Sequence, residues 1–129
     1  MRKVRLISLI GISIAIIIGL TGCNNSNTKF SGSKTGNDKQ FLVDFDVLNS
    51  TVDNDIPLTV GEMVETTIDI KKGDVDILVE NENGTIAYRG NDVETGNFTI
   101  IIDEPGTYTF YVTGSKAKGS VSFIKSSSE

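Results

Sequence analysis

From Phe41 to Phe123 the apolar side chains recur at nearly every second residue, and that period restricts the chain to strands buried on one face. Phe41, Val43, Phe45 and Val47 alternate with Leu42, Asp44, Asp46 and Leu48, and Val64, Thr66, Ile68 and Ile70 with Met63, Glu65, Thr67 and Asp69. Val75, Ile77 and Val79 form a third run, Thr85 to Arg89 a short fourth, and Phe98, Ile100 and Ile102 a fifth. Tyr108, Phe110 and Val112 face away from Thr107, Thr109, Tyr111 and Thr113, and Val121 with Phe123 closes the series. No window carries a helical stripe. Lys72-Gly73-Asp74, Asn81-Glu82-Asn83-Gly84, Pro105-Gly106 and the segment Gly114 to Gly119 punctuate the runs, the first and last as tight connections between separate strands. About seven short strands at this spacing predict an all-β domain, an antiparallel two-sheet sandwich over residues 41–129, with an open barrel as the other solution.

The segment before this domain has a different character. Arg2, Lys3 and Arg5 precede an apolar run from Leu6 to Leu20, too short for the roughly 20 residues of a membrane-spanning helix and matching an export signal. The run ends at Leu20-Thr21-Gly22-Cys23, which uses the only cysteine in the chain and resembles the lipobox of bacterial lipoproteins. That resemblance implies removal of residues 1–22 and a thioether-linked diacylglyceryl group on Cys23. At about 0.8 kcal/mol per buried CH₂, two or more acyl chains would hold the protein at the outer face of the cell membrane. Residues 23–40 carry one aromatic residue and no apolar period, and are expected to form a disordered tether with a root-mean-square reach of roughly 20–25 Å.

Within the β domain, Gly73-Asp74-Val75-Asp76-Ile77-Leu78-Val79, then Asn83-Gly84, then Pro105-Gly106-Thr107-Tyr108-Thr109-Phe110-Tyr111-Val112 resemble the bacterial pre-peptidase C-terminal domain. Golgi-dynamics-type sandwiches have a similar Gly-Thr-Tyr strand. The resemblance implies a small jelly-roll-like sandwich with an accessory or binding character, and it brings no catalytic residue.

Charge and residue inventory limit the chemistry. From Phe41 onward there are 6 bases and 16 acids, 6 − 16 = −10, so phosphate backbones are repelled and a nucleic-acid partner is disfavoured. There is no histidine, and the single thiol is expected to be acylated, so the common triads and thiolate nucleophiles are missing and the chain reads as a non-enzyme. No cofactor is implied. Calcium takes carboxylate and carbonyl oxygens, and Asp53 and Asp55, expected in a loop, are the first candidates for it; keeping the sheet edges soluble is the plainer and favoured account of the acidic residues. Tyr111, pointing outward among threonines, is the candidate for stacking on a sugar, and strand surface is its plainer role. Two roles follow. One is a membrane-anchored interaction module for an envelope protein or polysaccharide; the other is a calcium- or glycan-binding accessory lipoprotein.

Overall fold

The computed structural model describes residues 28–126, and the expected export signal and Cys23 lie outside them. Seven strands run in chain order: β1 Phe30–Gly36, β2 Gln40–Leu48, β3 Thr51–Leu58, β4 Met63–Asn81, β5 Ile86–Gly90, β6 Gly96–Ile101 and β7 Gly106–Ser126. All pairings are antiparallel, and no helix occurs among the described residues.

The two longest strands, β4 and β7, pair along nearly their whole length to form a ribbon, which folds back on itself. Phe110 and Phe123 lie thirteen residues apart on β7, which an extended strand would separate by roughly 40 Å. Their ring centroids are 4.9 Å apart. The two halves of the ribbon therefore face one another. The half that holds Gly106–Thr113 and Val75–Asn81 is flanked by β3 and β5. The half that holds Gly119–Ser126 and Met63–Ile70 is flanked by β2 with β1 outside it, and by β6. The result is a sandwich whose two layers are one continuously hydrogen-bonded sheet.

The inward phase of the ribbon changes at the fold. In β4 the buried residues are Val64, Thr66 and Ile68 before it and Val75, Ile77, Val79 and Asn81 after it. In β7 they are Tyr108, Phe110 and Val112 before it and Val121 and Phe123 after it. Register irregularities at Ile70/Lys72 and Lys72/Asp74 absorb the change, as bulges do when a strand bends sharply. Lys72-Gly73-Asp74 and Gly114 to Gly119, expected as connections between separate strands, are thus corners inside continuous ones. Gly73 is needed there: its φ is +74°, and a Cβ would stand 2.6 Å from the Ser115 carbonyl oxygen and 2.7 Å from the Ala117 Cα.

Three further expectations are corrected. Part of the expected tether, Phe30–Gly36, is an edge strand paired with β2. Its side chains are exposed apart from a half-buried Phe30, so the ladder's backbone hydrogen bonds hold it and leave no apolar period to read. Residues 51–58, expected in part as loop, form β3, with Val52, Ile56 and Leu58 buried. Leu48, expected outward, is fully buried because the β2–β7 register shifts between Phe45 and Leu48. The turn at Asn81 forms as expected: Asn81 Oδ1 accepts the Asn83 and Thr85 N–H groups, each at 2.9 Å, and Gly84 has a φ of +87°.

The corner geometry makes a differential prediction. Gly73→Ala and Gly84→Ala both force a side chain into left-handed backbone, at about 1–3 kcal/mol. Only Gly73→Ala also drives a methyl group into the facing strand, since nothing lies within 4 Å of a Cβ at Gly84. Gly73→Ala should lower the urea midpoint clearly more; equal losses would mean that the corner is not closely packed.

Candidate binding face

Because β7 buries Tyr108, Phe110 and Val112, the residues between them point outward. Thr109, Tyr111 and Thr113 are half-buried on the outer side of the layer formed by β3, β7, β4 and β5. Register places Asp53 of β3 and Leu78 of β4 directly on either side of Tyr111, and Arg89 of β5 beside Leu78. Directly opposed residues in an antiparallel sheet share a face, so one row reads Asp53, Tyr111, Leu78, Arg89. The row toward the corner is Thr51, Thr113, Asp76, and the row away from it is Asp55, Thr109, Glu80.

On this face an open groove of about 340 Å³ lies around Tyr111, Leu78 and Arg89, with Thr51, Thr113 and carboxylates from Asp76 and Glu80 at its margin. That volume is at the small end of ligand sites, which run about 300–1,000 Å³. Thr51 and Thr113 share a hydroxyl–hydroxyl hydrogen bond of 2.8 Å, and the Thr109 hydroxyl donates to Asp55 Oδ1 at 2.7 Å. The face thus offers an aromatic ring, a guanidinium, carboxylates and fixed hydroxyls on a rigid support.

The structure brings together three residues that sequence reasoning singled out separately: Tyr111, Asp53 and Asp55 share this face. The loop expected around Asp53 and Asp55 is instead β3, whose ladder with β7 engages every second carbonyl. No group of three or more His, Cys, Asp or Glu side chains among the described residues is placed to hold a metal ion. Arg89, Leu78 and Asp76 were missed. Their outward phase was legible, but the alignment of their strands beside Tyr111 was not. Tyr88, on the opposite phase of β5, packs its ring 4.8 Å from that of Phe98 and belongs to the core margin. Tyr108 is also structural: its buried hydroxyl donates to the Glu104 carbonyl at 2.6 Å, and burial, then Glu104, push its pKa up.

Beside the groove the link from β5 to β6 carries an unfavourable charge arrangement. The Asp92 carboxyl is pushed above its ordinary value of 3.8, first by the charge of Asp74 and a hydrogen bond with it, then by slight desolvation, Asp76 and Glu94. Asp92 also has a left-handed φ of 53°, and its N–H donates to Asp76 Oδ1 at 2.7 Å.

No protein-family model matches the chain, and no curated protein does. Among solved structures it is similar to the pre-peptidase C-terminal domain of a collagenase from Bacillus anthracis, at 14% identity over 78% of this chain and 99% of that one, with a TM-score of 0.49. At that level the likeness adds nothing about ligand or activity. The molecule is a small all-β sandwich with a shallow polar and aromatic groove on one outer face.

A raised carboxyl pKa means that the folded state binds the proton more tightly than the unfolded one. Its favourable contribution is complete below the ordinary aspartate range and lost as pH rises through the raised value. Asp92→Asn keeps a side chain suited to left-handed backbone and removes the repulsion. It should raise the urea midpoint at neutral pH, with a gain that shrinks as the medium is acidified below the ordinary value of 3.8. A pH-independent gain would show that the backbone, not the charge, is responsible.

Proposed function

We propose that this chain is exported, acylated on Cys23, and works at the outer face of the cell membrane as a non-catalytic module that binds an envelope component through the Tyr111 face. The observation that carries the binding role is the convergence of Tyr111, Arg89, Asp53 and Asp76 on one outward face. An envelope protein and an envelope polysaccharide are the two partner classes, and the groove favours the polysaccharide. A half-exposed aromatic ring stacks on the apolar face of a sugar, while neighbouring carboxylates and a guanidinium take its hydroxyls. The anchor is supported by the basic flank, the apolar run and the lipobox ending at the only cysteine.

A calcium-dependent form of this role rests on Asp53 and Asp55, which are exposed on the same face. It has less support, since Asp55 Oδ1 already accepts the Thr109 hydroxyl. A ligand of the native state raises its melting temperature, by RT ln(1 + [L]/Kd) in free energy. On the favoured reading, millimolar calcium leaves the melting temperature unmoved.

Tyr111→Ala should abolish retention on purified cell-wall polysaccharide while changing stability by no more than about 1 kcal/mol, because the ring is not part of the core. Unchanged retention would end the glycan reading. Mass spectrometry of the protein from membranes should find Cys23 as the first residue, bearing acyl chains. Finding residues 1–22 still attached, or an unmodified thiol, would refute the anchor.

A further inference from the structure

Six bases follow Phe41, and four of them, Lys71, Lys72, Lys116 and Lys118, stand at the corner where the ribbon folds. Lys72 is the register partner of Lys118, so two like charges oppose each other across adjacent strands, an arrangement that costs stability. Lys116 has a left-handed φ of 49°, with its N–H fixed on Asn49 Oδ1 at 3.0 Å. Lys118 lies 3.8 Å from Asp46 and Lys71 lies 3.2 Å from Asp69, both exposed pairs. Lys72 and Lys116 make no salt bridge among the described residues. Lys72, Lys116 and Lys118 line one open cleft with Thr28, Asp46 and Asn49.

The chain enters the domain at this corner. The Lys29 carbonyl accepts the Asn49 N–H at 2.7 Å and the Ser50 hydroxyl at 3.2 Å, which brings a fifth lysine to it. Asp46 and Asp69 stand among these lysines, and the other acidic residues of this end, Asp74, Asp76 and Glu94, surround Asp92 of the β5–β6 link.

We infer that the Lys72, Lys116 and Lys118 corner is a docking surface for the anionic phospholipid headgroups of the membrane that holds Cys23. The inference rests on the proposed acyl anchor. Lys29 lies six residues beyond Cys23, a span of at most about 22 Å, so the corner is confined near the bilayer. Charge interactions there act over a screening length of about 8–10 Å. Flexible lysine stems carrying compact charges suit a mobile layer of phosphates, while the acidic remainder of the domain is repelled. The domain tilts onto its lysine side.

The test uses the acylated full-length mature chain in vesicles of phosphatidylcholine alone or mixed with phosphatidylglycerol, with amine labelling read lysine by lysine by mass spectrometry. Lys72, Lys116 and Lys118 should label several-fold less in the anionic vesicles, and high salt should remove the difference. Lys39 and Lys125, joined by a backbone hydrogen bond at the other end of the sandwich, should label alike in both. In the double variant Lys72→Glu with Lys116→Glu, Lys118 should lose its protection. Equal labelling of the corner in both vesicles, with the chain bound to each, overturns this inference alone. A chain that binds neither vesicle overturns the anchor, and the inference with it.

Discussion

The contact between Phe110 and Phe123 across the fold of a single strand is the constraint on which the rest of the architecture depends. It requires β7 to double back, and β4, hydrogen-bonded beside it, must follow. Once the ribbon is folded, each half offers two edges, which β2, β3, β5 and β6 fill, and β1 adds outside β2. Phe41 stacks on Phe123 with centroids 6.2 Å apart, which ties β2 to the same aromatic cluster. Each fully buried Phe contributes on the order of 1.5–3 kcal/mol by area. Without an intrachain disulfide, such burial is the main term that opposes chain entropy.

Most of the inward and outward faces were legible because a period of two is a local property. Val64, Ile68, Val75, Ile77, Val79, Ile100, Ile102, Tyr108, Phe110 and Val112 are buried as their phase requires. The corners were not legible. A change of phase with a glycine between two runs is what a hairpin turn produces, and it is also what a bulged bend produces. Only the pairing of Lys72 with Lys118 and of Asp74 with Ser115 separates the two, and pairing is non-local. The expected and observed strand counts agree although the strands differ. Two corners were read as breaks, while β1 and β3 went unread. In β1 the reason is physical: an exposed edge strand held by backbone hydrogen bonds needs no apolar pattern.

The candidate site divides in the same way. That Tyr111 points outward follows from its neighbours in sequence, whereas the companionship of Arg89 depends on the registers of two separate strand pairs. Asp53 and Asp55 were noticed for their charge and assigned to a loop, although Val52, Ile56 and Leu58 share a strand phase around them. Two acids close in sequence drew attention away from the apolar period they interrupt. Register sets Asp53 beside Tyr111 and Asp55 beside Thr109, so both stand on a strand face and not in a loop.

The strand at the chain entry also alters where a bound partner would sit. A tether running to residue 40 would let the groove range widely above a bilayer, but β1 holds Phe30–Gly36 in the sheet and the Lys29 carbonyl is fixed on the Asn49–Ser50 corner. Thr51, one residue beyond that corner, lines the groove with Thr113 and Tyr111. On the proposed anchor the groove therefore opens beside the membrane-proximal end of the sandwich, not at its far tip. A partner held there must lie close to the bilayer, in the inner reaches of the envelope. On the proposed docking the lysines at the entry would set the domain's tilt against phosphate, and the carboxylates at the groove margin, Asp76 and Glu80, would be left to face a ligand of their own.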